Sequence, residues 1–199
     1  MASVIQVANR ALTKIGASRI TSLDDDNKAA RAILSCFDDL RDDELRAYGW
    51  QFALKRASIA ADTVVPDHGW QYQYPLPSDF LALDTVNETF PVVALDDYIT
   101  TELVEYSHEA NVIMTDLESP LLIRYIARIE DPNQWDANFR EVLACRIALE
   151  IAEELTQSAP KRQLAQMEYD KALIRAIKSN SFERPPVMLA DDTWIMGRL

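Results

Sequence analysis

Residues 22–50, SLDDDNKAARAILSCFDDLRDDELRAYGW, decide the reading of the chain. Ala30, Ile33, Leu34, Phe37, Leu40 and Tyr48 recur at helical spacing and would share one apolar face. Asp24, Asp25 and Asp26 stand where such a helix begins, because short carboxylates accept orphan amide hydrogens and meet the positive end of the dipole. The expected helix has about 23 residues and is roughly 34 Å long.

On the N-terminal side, Ser3 is the expected cap of a shorter helix whose apolar face runs through Val4, Val7, Ala8, Ala11, Leu12 and Ile15. Gly16 follows as a left-handed stop. On the C-terminal side the period changes after Trp50. Residues 51–60 read as a strand, and in 69–77, GWQYQYPLP, the aromatics Trp70, Tyr72 and Tyr74 alternate with Gln71 and Gln73. Further strands are expected at 80–86, 91–96, 104–115 (a hairpin turning near Glu109 to Asn111) and 121–129.

From Asp136 the helical period returns through Phe139, Val142, Leu143, Ile147, Ile151 and Leu155, and Ser158-Ala159-Pro160 interrupts it. A last run, 161–180, offers Leu164, Met167, Leu173, Ile174 and Ile177 for burial. The expectation is an α+β fold: an antiparallel bundle of about four helices with a small antiparallel β domain inserted between the second and third long helices. Residues 1–50 and 131–180 would form the bundle body and 51–130 the inserted β domain. Residues 181–199 contain Pro185-Pro186 and show no period, so they are expected to leave the body as an extended C-terminal docking tail.

Composition narrows the function. No run reaches the roughly 20 apolar residues that span a bilayer, and the first eight residues lack the pattern of a signal peptide, so no membrane partner is expected. Cys36 and Cys145 sit alone in helical stretches and read as two buried thiols of a reducing compartment. Of the net charge of −12, residues 51–130 carry −9. A chain that grips phosphates needs a basic stripe, so specific DNA binding is disfavoured.

Catalytic options are few. His68 and His108 read as surface residues without a nucleophile beside them. Four glycines, at 16, 49, 69 and 197, cannot build a phosphate-cradling loop. The Asp pairs at 38–39 and 42–43 lack the ligand spacing of a calcium loop, so no cofactor, metal or catalytic residue is expected. Trp50, Trp70 and Trp135 read as core at element junctions. In the tail, Val187, Met188, Leu189, Trp194, Ile195 and Met196 have no evident core to enter, which suggests docking on a partner.

Three ordered pieces carry a family resemblance: residues 12–59, residues 70–83 and residues 121–176. Their most specific parts are Trp-x-Phe-Ala-Leu-Lys-Arg at 50–56 and Leu-Pro-x-Asp-Phe-Leu at 76–81. Over roughly residues 4 to 180 the chain resembles the head-to-tail adaptor proteins of tailed bacteriophages, the group called tail tubular protein A, related to the tail accessory factors of short-tailed phages. The resemblance implies a non-enzymatic virion protein, made in the host cytoplasm, that forms a ring of about twelve copies beneath the portal protein. It implies a downstream tail (nozzle or tube) protein below, a C-terminal segment reaching the portal, and DNA passing through the channel without specific binding. An isolated subunit can remain monomeric until docking. Because some related accessory factors degrade cell wall, a tail-associated peptidoglycan hydrolase is the alternative, although no acid and nucleophile pair is nominated.

Overall fold

A computed structural model describes residues 2–87 and 105–183. The strand expected at 91–96 and the six apolar tail residues Val187, Met188, Leu189, Trp194, Ile195 and Met196 lie outside the described residues.

The protein is α+β, with four helices and two small antiparallel sheets among the described residues. Helix α1 spans Val4–Ile15. The Ser3 hydroxyl accepts the Gln6 amide at its start, and Gly16, at φ 70°, ends it. Asn9 then pins the following loop, since its side chain bonds both the amide and the carbonyl of Ile20 at 2.8 Å.

Helix α2, Lys28–Ala47, has 20 residues and starts later than the sequence suggested. Asn27 is its cap, accepting the Ala30 amide at 2.8 Å. Asp25 instead closes the preceding turn by accepting the amides of Thr21 and Ser22, which hold its carboxyl below the ordinary range. Asp26 pairs with Arg31 at 2.7 Å, so the acidic triplet shapes the approach to the helix and leaves the cap to Asn27. Ala30, Ile33, Phe37 and Leu40 are buried as expected, whereas Leu34 sits on the edge of the buried arc and is 55% exposed.

After α2, Gln51–Ala53 form one 3-10 turn. The strands follow as β1 (Leu54–Ile59), β2 (Tyr72–Pro75), β3 (Phe80–Val86), β4 (Ser107–Glu109), β5 (Val112–Thr115) and β6 (Leu121–Ala127). One sheet has the order β1-β6-β3 and the other β2-β5-β4, all neighbours antiparallel. The β4–β5 hairpin turns at Ala110 and Asn111, as its sequence suggests. In β6, Leu121, Ile123 and Tyr125 face inward while Leu122 faces out, the period of two expected of a half-buried strand.

Helix α3, Ala137–Thr156, capped by Asp136, packs on α1 and α2. A two-residue break at Gln157 and Ser158 leads into α4, Ala159–Phe182, which folds back along α3. Gln157 takes the left-handed conformation and Pro160 lies in the first turn of α4, so Pro160 helps start the helix rather than only ending the one before. Phe139 anchors the core, with Phe52, Trp50 and Trp135 around it at 5.1, 5.3 and 5.6 Å between ring centroids. One continuous apolar cluster runs from Val7 on α1 through these rings to Tyr74 and Ile113 on the strands. No helix among the described residues is long and apolar enough to cross a membrane.

Candidate interaction surface

The two motif pieces meet at the joint between helices and strands. The Trp50 indole N–H donates to the Glu44 carbonyl at 2.8 Å, which turns the chain sharply out of α2. Lys55 then pairs with Asp79 at 2.7 Å, clamping segment 50–56 to segment 76–81. Asp79 also accepts the Tyr125 hydroxyl at 3.0 Å, and its backbone carbonyl accepts the Arg128 amide at 2.6 Å. Burial works against ionised Asp79, but Lys55 and Tyr125 outweigh it and hold the carboxyl below its ordinary range. Burial and the same carboxylate push the Tyr125 phenol up to about 12. Arg128 reaches Asp42 on α2 at 2.7 Å, a second tie across the joint.

A polar fastener holds α4. Glu44 is 2% exposed; its Oε1 accepts the Tyr169 hydroxyl at 2.8 Å, with Arg146 at 3.6 Å. Its Oε2 has no hydrogen-bond partner among the described residues. Burial pushes the Glu44 carboxyl above its ordinary value, and Tyr169 and Arg146 only partly pull it back. A carboxyl raised in this way is the signature of a general acid, but one sealed between helices meets no substrate, so its role is to fix α4 on α2 and α3. One residue earlier on α4, Glu168 meets Lys14 at 3.3 Å, and Lys14 also pairs with Glu141 at 2.8 Å, tying α1, α3 and α4 together. Asn180 completes the attachment by bonding the Gln51 amide and the Gly49 carbonyl.

The remaining chemistry-bearing side chains do not converge. His68 and His108 are both exposed, His108 lying against Phe80. Cys145 is buried, but Cys36 is only half-buried, a correction to its expected place in the core: α2 turns it to the edge of the α3 contact. Burial raises both thiols, Cys36 to about 11, which leaves little thiolate. Among the described residues no group of three His, Cys, Asp or Glu is arranged to hold a metal. A cavity of about 360 Å³ on the sheet of β1, β6 and β3 is lined by Arg56, Ser58, Thr85, Leu122 and Arg124. Arg124 there is paired with Asp84.

What the structure exposes is the outward side of α4. Leu164, Met167, Ile174 and Ile177, expected in the core, face solvent, with Ile174 69% exposed. Only Leu173 of that set packs against the core. The buried residues of this helix are three alanines, Ala165, Ala172 and Ala176. Alanines on the contact stripe let α4 approach α3 closely, and the bulky residues fall on the flanks and back. Apolar residues lie nearly all round α4, so their period selects no single face. Lys171, Arg175 and Lys178 share the exposed side and form no ion pair among the described residues.

A second exposed apolar feature lies in the β1–β2 connection. Val64 and Val65 are 61% and 62% exposed. The loop is held at its base by bonds from the Asp62 amide to the Gln73 carbonyl and from the Ala61 amide to the Ser119 hydroxyl. Asp62 accepts the Val64 amide at 3.3 Å, which shapes the tip. The sequence carries a signal for this feature, two valines before a proline among polar residues, but periodicity does not register it.

The chain matches no family model and no curated protein.

Proposed function

We propose that this chain is a structural subunit of the head-to-tail adaptor of a tailed bacteriophage, a ring beneath the portal that joins capsid to tail around the DNA exit channel. In this reading residues 1–50 and 131–180 are a helical-bundle body and 51–130 a β unit inserted between α2 and α3, turned toward the downstream tail protein. Residues 181–199 dock on the portal through Val187, Met188, Leu189, Trp194, Ile195 and Met196. Part of the net charge of −9 on residues 51–130 faces the channel, where acidic groups keep passing phosphates from binding.

One observation carries the reading. The motif pieces 50–56 and 76–81, the most specific part of the resemblance, lock together through Lys55 and Asp79. Lys55 and Asp79 are used in holding β1 to the start of β3, which is the work of a scaffold. The surfaces left over are apolar helix and loop faces, suited to protein partners.

The test is attachment. A chain lacking residues 184–199 is expected to fold with an unchanged unfolding midpoint and to be absent from DNA-filled heads that take up the full chain. Normal attachment of the shortened chain rules out the docking tail. Clearing of a peptidoglycan gel by purified protein, lost on a single Asp or Glu substitution, would replace the structural reading with the hydrolase.

A further inference from the structure

We infer that the outward face of α4 and the tip of the β1–β2 loop are the two halves of one contact between successive copies of this chain. The inference rests on the ring reading above and supplies its subunit contact.

The first half is a strip on α4. At 100° per residue, Met167, Ile174 and Ile177 fall within an arc of about 80°, with Lys171 and Lys178 along one border and Arg175 beyond them. All six are exposed, and the three cations have no ion-pair partner among the described residues. Asp170, also exposed, falls inside that arc and accepts the Gln166 side-chain amide, so against the three cations the strip carries one carboxylate and keeps a net positive charge on a chain whose net charge is −12.

The second half has the opposite sign. Val64 and Val65 are flanked by Asp62 and Asp67, neither of which forms an ion pair among the described residues. The loop is anchored on the strands through Gln73 and Ser119, and it shares no hydrogen bond or ion pair with α4 among the described residues.

Charge decides how these patches pair. Two α4 strips face to face would set Lys171, Arg175 and Lys178 against their own copies, and two loop tips would oppose Asp62 and Asp67. Loop on strip matches apolar to apolar and acid to base. In the ring reading each copy meets one neighbour through its loop and another through its strip, so the contact is heterologous, and repeating it generates a closed ring or an open filament. Reciprocal pairing of the same two copies would instead close a twofold dimer, and a chain carrying both V65C and I174C would then stop at dimer rather than give a ladder.

Cross-linking of the full chain tests this, with Cys36 replaced by Ser. A V65C chain mixed with an I174C chain under mild oxidation is expected to give the mixed disulfide dimer at about tenfold the yield of either self-dimer, since burying these aliphatic groups favours that encounter. A chain with both cysteines is expected to give a ladder of oligomers. K171E/K178E should suppress the mixed dimer with an otherwise unaltered V65C chain and recover it with V65C that also carries D62K/D67K. Mixed dimer no more abundant than self-dimer, or a doubly substituted chain that closes on itself as a monomer, overturns the contact. Particle incorporation separates the two ideas: wild-type chain present in virions with no preferential cross-link leaves the adaptor standing and removes the contact.

Discussion

Helices α3 and α4 form one hairpin, and both carry apolar residues around most of their circumference, yet their fates are opposite. In α3 nine residues from Phe139 to Ala152 are buried, because α1, α2 and α4 all pack on it. In α4 only Ala165, Ala172 and Ala176 are buried, because α3 covers one narrow stripe. A helix that is apolar all round belongs in a protein interior. α3 finds that interior within its own chain, whereas α4 carries more polar and charged residues and leaves Leu164, Met167, Ile174 and Ile177 facing solvent.

The largest effect should come from the side already satisfied. Phe139→Ala removes the ring at the centre of the aromatic cluster and is expected to cost about 3–5 kcal/mol in denaturant unfolding. A loss below 1 kcal/mol would mean that α3 is not the spine of the fold.

Next is the fastener that ties α4 to α2 through Tyr169 and Glu44. Tyr169→Phe leaves the Glu44 carboxylate without its hydroxyl donor and is expected to cost about 1–3 kcal/mol at neutral pH. The sign of its pH dependence follows from burial, which raises Glu44 above the ordinary value of 4.5. Its contribution to stability is complete below 4.5 and falls as pH rises through the raised folded-state value. Removing Tyr169 raises that value further, so the deficit of the variant should shrink in acid and grow toward neutrality. Unfolding curves across this range that stay parallel would show that Glu44 does not titrate with folding.

A smaller change probes the stripe itself. Ala172→Leu forces extra volume between α4 and α3 and should destabilise by about 1–3 kcal/mol, read as a lower unfolding midpoint. Ile174→Asp, two residues on, should change stability by no more than about 0.5 kcal/mol, because the side chain already faces water. If Ile174→Asp unfolds the protein and Ala172→Leu does not, the two faces of α4 have been exchanged.

Much of this molecule was legible from local signals. Ser3 and Gly16 bound α1 as their chemistry suggests, and Asp136 caps α3. The hairpin turn at Ala110 and Asn111 and the alternation in β6 follow from side chains that act over a few residues. Where two local roles compete the sequence does not choose between them: Asp25 can close a turn or cap a helix, and two backbone amides of the turn claim it. The apolar face of α4 was misassigned because residues spread round a helix carry no phase.

From sequence alone came the four helices, the bounds of α1 and the α+β class, all governed by hydrogen bonds and side-chain periods within a turn or two. Tertiary structure alone decided which side of α4 is covered, that Lys55 meets Asp79, and that Glu44 meets Tyr169 125 residues away. Such pairings depend on how whole elements pack, and burial is a property of what surrounds a side chain rather than of the side chain itself.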